Sequence, residues 1–298
     1  MDGILCINKP QGFTSFDVVA KLRGILKMKR IGHAGTLDPM ATGVLPVFVG
    51  CATKACDILP VNTKAYRAEF ELGFVTDTQD STGKILSTSD KQVTKQEIAG
   101  ILNRFTGTIQ QIPPMYSAVS VNGKRLYELA RQGIEVERKP RTITVLSLEL
   151  ENYDEKQRTG TLSIKCSKGT YIRTIIHDIG SILGCGAMMT GLVRTESNGF
   201  CLGGCYTIDQ VEDYVRDQRI SDILIPVERA FETLPEKKLD ETQTKAYKNG
   251  VKIPVAEAGI SDSDADRKYR IYSSDGSFLG LAQVTDGLLR VYKNFIQH

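Results

Sequence analysis

Alternating apolar and polar residues define the clearest strand of the chain. Residues 64–73 place Tyr66, Ala68, Phe70 and Leu72 on one side, with charged residues between them. Successive side chains of a strand point to opposite faces, so this pattern predicts a strand with one buried face. Other apolar or alternating runs predict further strands at residues 3–7, 44–49, 141–150, 160–166 and 188–195.

Helix-starting residues precede several segments with helical spacing of apolar residues. Thr94 and Glu97 form a capping box that predicts a helix to about Phe105, and Thr207 with Gln210 repeats the pattern. Further helices are predicted over residues 16–26, with Ser15 as the cap, over 125–132, and from about 173 to 183. The mixture of helices and strands predicts an α+β protein.

The pattern changes near Leu234. Pro226 begins an irregular stretch, and a helix near residues 241–249 is followed by an acidic loop at Asp262, Asp264 and Asp266 and by strands at 269–273, 278–284 and 288–294. We predict a large domain over residues 1–233 and a small β-rich module over residues 236–298. A module of this size is marginal alone, so it is expected to pack on the larger domain.

Composition narrows the class of protein. The chain of 298 residues is 41% hydrophobic and 24% charged, which is typical of a soluble globular protein. No apolar run approaches the length of a membrane span and the N-terminus does not resemble a signal peptide, so a cytoplasmic location is expected. The seven cysteines are expected to be reduced, and Cys201 with Cys205 lacks the further ligands of a zinc site.

Basic residues are clustered although the net charge is only +3. One run without an acid precedes residue 31 and contains Lys21, Arg23, Lys27, Lys29 and Arg30. A second cluster, interrupted by glutamates, contains Lys124, Arg125, Arg131, Arg138, Lys139 and Arg141. Such runs are either solvated faces or contacts to nucleic-acid phosphates, and the pattern alone leaves both open.

Residues 31–50 combine glycines, prolines and an apolar run. Pro39 restricts Asp38 to an extended conformation, and the glycines permit backbone angles closed to other residues. The segment predicts either a loop that presents a carboxylate beside a core strand or an ordinary Asp-Pro turn.

Four residues carry candidate chemistry: Asp38, His33, Tyr66 and Arg173. An unperturbed aspartate titrates near ~3.9, so Asp38 can serve as a nucleophile or base at neutral pH. The chain has no Ser-His-Asp order, phosphate-binding loop, dinucleotide fingerprint or metal-ligand set. Hydrolase, kinase and dehydrogenase functions therefore have no support.

Six short motifs stand in the order and spacing found in one enzyme family. They are Asn8-Lys9-Pro10-x-Gly12-x-Thr14-Ser15, His33-x-Gly35-x-Leu37-Asp38-Pro39-x-Ala41-x-Gly43-x-Leu45, Lys64-x-Tyr66, Thr76-Asp77-Thr78-x-Asp80, Gly169-Thr170-Tyr171-Ile172-Arg173 and Leu192-x-Arg194. In these motifs the chain resembles the bacterial tRNA pseudouridine-55 synthases, the TruB family.

The resemblance implies a fold and a reaction. The fold is the pseudouridine-synthase fold, a mixed, mostly antiparallel sheet with flanking helices, followed by a PUA-like RNA-binding module. The implied reaction breaks the glycosidic bond of a T-loop uridine of tRNA, turns the uracil and joins C5 to the ribose, without a cofactor or a metal. The implied partner is the T-arm of tRNA, and no obligatory protein partner, oligomer or membrane contact is expected.

The resemblance also implies residue roles. Asp38 is the catalytic carboxylate, which adds to sugar or base or assists a glycal route. Tyr66 stacks on the flipped base, and Arg173 pairs with Asp38. His33 fills the space that the flipped nucleotide leaves, although a structural role stays open for this histidine. Leu192 forms an apolar wall of the uracil pocket, where a plain core role is equally compatible.

Support and RNA binding are implied for further positions. Lys9 is expected to support the loop of Asp38, and Tyr171 to bind RNA. Residues 113–141 resemble a bacterial insertion that grips the T-arm, with a tight turn at Asn122-Gly123 and phosphate contacts from Lys124, Arg125 and Arg131. Ser120 and Val193 replace basic residues that are common in the family, so weaker electrostatic binding is expected there.

Two alternatives remain at this stage. The first is a noncatalytic RNA binder or tRNA-folding chaperone on the same fold, which would have little reason to keep Asp38, Tyr66 and Arg173 together. The second is a synthase acting on another RNA, since archaeal and eukaryotic relatives work within guide-RNA complexes. The segment 113–141 and the short tail resemble the stand-alone bacterial form.

Overall fold

The structure, a computed structural model, describes residues 1–121, 123–261 and 264–296. In this part of the chain the helices are α1 (Ser15–Leu26), α2 (Lys95–Leu102), α3 (Leu126–Arg131), α4 (Ile172–Leu183), α5 (Ile208–Arg216) and α6 (Glu241–Lys248). The strands before residue 202 are β1 (Gly3–Lys9), β2 (Ile31–His33), β3 (Thr42–Val49), β4 (Thr63–Leu72), β5 (Phe74–Thr76), β6 (Ile85–Thr88), β7 (Gly107–Gln111), β8 (Ser120–Val121), β9 (Lys124–Arg125), β10 (Arg141–Asp154), β11 (Thr159–Ser167), β12 (Ala187–Ser197) and β13 (Phe200–Cys201). The later strands are β14 (Glu236–Lys238), β15 (Ile253–Pro254), β16 (Lys268–Tyr272), β17 (Phe278–Thr285) and β18 (Leu288–Asn294).

One nine-stranded sheet forms the centre of the molecule. Its order is β1-β3-β12-β4-β11-β10-β7, with β2 added beside β3 and β13 beside β12. The pairs are antiparallel except for β3 and β12, which run parallel. The predicted α+β class with a mixed, mostly antiparallel sheet is confirmed.

The alternation in β4 has the predicted result. Tyr66, Ala68, Phe70 and Leu72 are all buried, and they join side chains of α2 and α4 in one apolar core. At the β1 edge of the sheet, α1 and α5 pack on β1 and β3 and form a second apolar core. The capping boxes predicted at Thr94 and Thr207 are both present.

One predicted cap is wrong. The N-cap of α1 is Thr14, whose side chain accepts from the Asp17 backbone, and not Ser15. Ser15 is buried and exchanges hydrogen bonds with the backbone of Leu37. Either hydroxyl suits a cap locally, and the tertiary contact to Leu37 engages Ser15 instead.

A five-stranded sheet in the order β14-β16-β17-β18-β15 follows the main sheet. Its own core includes Leu239, Tyr247 and Ile271. The end of this segment contacts the 3₁₀ helix Gly50–Ala55, where the Lys54 ammonium donates to the Asn294 carbonyl at 2.9 Å. The expected packing of the tail on the large domain is therefore present.

Two predicted features fall on undescribed positions. Asn122 of the predicted turn and Asp262 of the predicted acidic loop lie outside the described residues, and the strands β8 and β9 on either side of position 122 pair antiparallel. Among the described residues, no helix is both long and apolar enough to span a membrane.

Candidate active site

The loop that carries Asp38 joins β2 to β3 and is held by a hydrogen bond from Lys9. The Lys9 ammonium is fully buried and donates to the carbonyls of Pro10 at 2.8 Å, Phe13 at 2.6 Å and Pro39 at 3.3 Å. Burial lowers the pKa of Lys9 to about 8, and the nearby Asp38 carboxylate opposes this shift. Lys9 thus ties the first turn of the chain to the loop of Asp38.

Arg173 holds the Asp38 carboxylate through two of its nitrogens. Its Nε lies 2.9 Å from Oδ2 and its Nη2 lies 3.2 Å from Oδ1. The Asp38 side chain is 38% exposed, whereas Arg173 is only 4% exposed. This two-point contact fixes the direction of the carboxylate while one side of it faces the cleft.

Asp80 is a second carboxylate beside Arg173. It is 4% exposed, with one oxygen 3.7 Å from the Arg173 Nε. Its other oxygen accepts from the Thr78 hydroxyl at 2.7 Å and from the Thr82 backbone at 3.0 Å. No role was predicted for Asp80, although it lies in the quoted Thr-Asp-Thr-x-Asp motif.

Backbone carbonyls complete the surroundings of Arg173. Nη1 donates to the Thr78 carbonyl and Nη2 to the Tyr116 carbonyl, both at 2.9 Å. The helix that carries Arg173 begins after Tyr171, whose backbone exchanges two hydrogen bonds with the Gln111 side-chain amide. Gln111 is a supporting residue that the sequence did not reveal, because the contact spans 60 positions.

Arg194 is a second buried arginine, and it binds backbone instead of carboxylates. It is 0% exposed and donates to the carbonyls of Val44 at 2.7 Å, Gly35 at 3.0 Å and Thr36 at 3.4 Å. Burial lowers the pKa of its guanidinium. Arg194 therefore fixes both ends of the segment that contains Asp38.

Gly43 allows this close arrangement. Its φ is +101°, and a Cβ there would lie 2.2 Å from the Arg194 carbonyl oxygen. Only glycine permits β3 and β12 to approach in this way, which explains the glycine after Thr42.

Tyr66 and Leu192 line the cleft on neighbouring strands. Tyr66 pairs in register with Arg194 across β4 and β12. Burial raises the pKa of Tyr66 to about 12, partly opposed by the Arg194 guanidinium, so its hydroxyl is protonated at neutral pH. Leu192 is largely buried and adds an apolar surface.

His33 and Lys64 line the cleft, with the buried Arg194 close to both. Burial, together with the charges of Arg194 and Lys64, lowers the pKa of His33, so this imidazole is neutral at pH 7. Burial and Arg194 also lower the pKa of Lys64, to about 8. No carboxylate pairs with Lys64 or Arg194 among the described residues.

The insertion contributes one of its three predicted basic residues to the cleft. Arg131 lines the cleft and its guanidinium lies 5.5 Å from the centre of the Tyr127 ring. Lys124 and Arg125 are exposed outside the cleft lining, and Arg125 donates to the Ala118 carbonyl at 2.6 Å.

The resulting cleft has a volume of about 1120 Å³. The predicted residues that it brings together are Asp38, Tyr66, Arg173, His33, Tyr171, Leu192 and Arg131. Residues that sequence reasoning did not assign also line it, namely Phe16, Lys64, Asp80 and Tyr116. A fixed carboxylate beside a neutral tyrosine, an apolar wall and the Lys64 ammonium suits chemistry on an uncharged base attached to an anionic chain. Within the described residues, no group of three or more His, Cys, Asp or Glu side chains is placed to hold a metal.

Three family models match consecutive parts of the chain. "TruB family pseudouridylate synthase (N terminal domain)" matches residues 23–172, and "tRNA pseudouridylate synthase B C-terminal domain" matches residues 173–232. "Pseudouridine synthase II TruB, C-terminal" matches residues 235–293.

Solved structures share the fold. A chain in the crystal structure of a Cbf5-Nop10-Gar1 complex has a TM-score of 0.75 and 26% identity, covering 99% of this chain and 85% of that one. A chain in an H/ACA RNP bound to a substrate RNA containing 2'-deoxyuridine has the same TM-score, with 25% identity and the same coverage. With the family models, this likeness confirms the predicted pseudouridine-synthase fold and a PUA-like C-terminal module.

Curated relatives match the whole chain. The "tRNA pseudouridine synthase B" of Clostridium kluyveri is 42% identical over 296 residues, 99% of this chain and all of the relative. The protein of the same name from Dehalococcoides mccartyi is 45% identical over 300 residues, all of this chain and 97% of the relative. The chain therefore belongs to the TruB family of pseudouridylate synthases.

Proposed function

We propose that this chain converts uridine to pseudouridine at position 55, in the T-loop of tRNA, without a cofactor or an obligatory protein partner. The observation that carries the proposal is the Asp38 carboxylate, held at two points by the buried Arg173 guanidinium on the wall of a cleft. Family membership and the name of the relatives support uridine in tRNA as the substrate. The sequence resemblance supplies the T-loop and the position.

The reaction is an isomerisation, so no atom is gained or lost overall. The C1′–N1 bond breaks, the uracil turns, C1′ bonds to C5, C5 gives up its proton and N1 gains one. We assign the ionised Asp38 carboxylate to this step, where it adds to C1′ or to the base, or assists a glycal route. Arg173 is the positioning residue that directs the Asp38 oxygens, and Asp80 fixes the position of Arg173.

The neighbouring side chains receive the extruded base. Tyr66 stacks on it with its hydroxyl protonated, since the pKa of Tyr66 is raised to about 12. Leu192 covers the apolar part of the uracil, and the neutral His33 fills the space that the base leaves in the loop. Extrusion costs a few kcal/mol, which these contacts offset.

RNA binding extends beyond the base. We assign Arg131 and Tyr171, at the cleft, and Lys124 and Arg125, on the exposed hairpin, to the RNA backbone. Lys9 supports the loop of Asp38 through the carbonyls that it binds and does not contact RNA, because it is fully buried.

We further propose that residues 1–233 form the catalytic domain and residues 236–298 an RNA-binding module. A separate sheet and core support this division. A chain ending at residue 234, with folding checked by circular dichroism, is expected to keep Asp38-dependent turnover and to bind RNA more weakly. Unchanged affinity would contradict RNA binding by the module.

The main test is turnover by the purified chain on a transcript of the T-stem-loop. We expect pseudouridine at one uridine, with proton release from C5 as the readout. Asp38→Asn, which keeps the size of the side chain, should abolish turnover and leave RNA affinity within about threefold. Asp57→Asn, an exposed aspartate outside the cleft lining, is the matched control and should leave turnover unchanged. Turnover by Asp38→Asn would overturn the mechanism.

A role in folding tRNA is the second candidate, because a cleft that opens the T-loop acts on RNA structure even without chemistry. Lys64 supports it, since this cation lines the cleft and takes no part in the pairing of Asp38 with Arg173. If it holds, Asp38→Asn protein will still accelerate the refolding of a denatured tRNA.

A further inference from the structure

Phe16 is a large apolar side chain that the fold leaves in water. It lies in the first turn of α1 and is 63% exposed. Single exposed apolar residues are common on protein surfaces, so exposure alone carries no function. Phe16, however, lies on the lining of the same cleft as Asp38, His33 and Tyr66.

A cation supports the Phe16 ring. The Arg23 guanidinium lies 5.8 Å from the ring centre, seven residues along the same face of α1. Arg23 also donates to the Ile31 carbonyl at 3.2 Å, in the strand that ends at His33. The Phe16 ring thus packs against the Arg23 guanidinium, which is held in place by its hydrogen bond to β2.

The helix start that carries Phe16 is also held in place. Thr14 and Asp17, which lie before and after Phe16 in the sequence, form a capping box. The Ser15 hydroxyl accepts a hydrogen bond from the backbone of Leu37, next to Asp38. A rigid support lowers the entropy cost of binding, because little freedom remains to be lost.

The cleft has room for more than the target base. Its volume of about 1120 Å³ exceeds the roughly 300–1,000 Å³ of a pocket for one small ligand. Tyr66 and Leu192, which we assign to the uracil, are on the sheet, whereas Phe16 is on α1. The cleft therefore offers a further aromatic surface on α1, apart from the sheet that carries Tyr66.

Accordingly, we infer that Phe16, supported by Arg23, is a stacking site for a second unstacked nucleobase of the RNA substrate, next to the target uridine in the loop. The inference rests on the proposed function for the identity of the substrate. Aromatic rings bind bases of single-stranded segments by stacking. The Phe16 ring contributes binding affinity and fixes the position of the RNA loop in the cleft, and it takes no part in the chemistry.

Variants at residue 16 separate stacking from charge and from apolar area. Phe16→Ala should weaken binding of the T-stem-loop by about 5- to 150-fold, the range for loss of one base stack, with an unchanged salt slope. Phe16→Leu keeps apolar area without an aromatic face and should behave like Phe16→Ala, whereas Phe16→Tyr should restore binding. The rate at saturating RNA should stay within about threefold. Equal affinity of wild type and Phe16→Ala, or rescue by leucine as full as by tyrosine, would overturn the inference.

RNAs with one abasic nucleotide at each loop position identify the stacked base. At one position the abasic RNA should bind wild type as weakly as the intact RNA binds Phe16→Ala, and combining the two changes should cost no more than either alone. If the losses of binding affinity caused by Phe16→Ala and by the abasic nucleotide add at every loop position, stacking on Phe16 is contradicted. Failure of the proposed function is separate, because it would appear as absent turnover by wild type whatever the affinities.

The sequence also allows a direct optical test, because it contains no tryptophan. Phe16→Trp provides a single indole at the site, and its fluorescence should be quenched as RNA saturates the protein. Ile182→Trp places an exposed indole in the last turn of α4, outside the cleft lining, and should show little change. Equal responses from the two variants would count against base stacking at Phe16.

Discussion

The two walls of the cleft differ in how their cations are paired. On one wall, Arg173 has two carboxylates around it, Asp38 and Asp80. On the other wall, Lys64 lines the cleft with no carboxylate partner among the described residues, and the buried Arg194 beside it binds backbone carbonyls. The first wall fixes a carboxylate for chemistry, and the second leaves positive charge available for an anion.

This difference fits a substrate with two chemically distinct parts. Under the proposed function, the uncharged uracil meets the carboxylate, the neutral tyrosine and Leu192, whereas the phosphate of the nucleotide is an anion and suits Lys64. Charges in a recess of low dielectric attract an anion more strongly than charges on an open surface. Predictions that change one wall at a time test this division.

Removal of the Arg173 charge should have the largest effect. Arg173→Met leaves Asp80 buried without its cation, so the free energy of unfolding should fall by about 3–5 kcal/mol and turnover should be lost. Urea denaturation and the transcript assay measure the two effects. Arg67→Met removes an exposed arginine paired with Glu151 and should cost less than about 1 kcal/mol. A similarly small decrease in the free energy of unfolding for both variants would contradict a structural role for the pairing of Arg173 with Asp38 and Asp80.

Removal of the Lys64 charge should mainly affect RNA. At pH 7, Lys64→Met should weaken binding by about 10- to 150-fold, as expected for a hydrogen bond to a charged group. The slope of log affinity against log salt should fall by about 0.7–0.9, the value for one phosphate contact. Lys156→Met, in an exposed turn, is the control. An unchanged salt slope for Lys64→Met would remove Lys64 from the RNA contacts.

The pH dependence of binding provides a sharper test of Lys64. Its pKa of about 8 means that free protein loses this charge as the pH rises above 8, while a bound phosphate favours the charged form. RNA affinity should therefore decrease above pH 8, by up to about tenfold per pH unit. Arg194 stays charged in this range, His33 is neutral, and the pKa of Cys166, raised by burial to about 11, keeps that thiol uncharged.

Lys64→Arg separates this effect from other titrations. Arginine stays charged, so this variant should lose the decrease in affinity between pH 8 and 9.5 that Lys64 causes. Lys9 titrates in the same range, because burial lowers its pKa to about 8. A decrease that persists fully in Lys64→Arg would assign the pH dependence to Lys9 or another group.

The comparison also explains what the sequence could predict. The β4 alternation and the capping box at Thr94 depend on residues close in the chain, and both are confirmed. The burial of Asp80 depends on Arg173, which lies 93 positions away, so no local pattern predicts it. Lys64 is likewise half-buried only because Arg194 and the loop at Gly35 lie beside it.

The candidate site was found mainly through its motifs and not through periodicity. Spacing alone left Asp38 as either a presented carboxylate or a turn residue, and the order of the six motifs favoured the first and predicted its pairing with Arg173. Phe16 lies within none of them, although it directly follows the first. Its position on the cleft requires the three-dimensional path of α1, which no local pattern specifies.

The smallest effects are expected on the insertion, and they test how far the basic wall extends. Arg131 lines the cleft and stacks on Tyr127, whereas Lys124 is exposed on the hairpin outside it. Arg131→Ala and Lys124→Ala should each weaken RNA binding by about fivefold or less and lower the salt slope, with the larger change for Arg131. Unchanged slopes for both variants would make the insertion a solvated face. A larger change for Lys124 would instead place the RNA backbone along the hairpin, away from the cleft wall that carries Lys64.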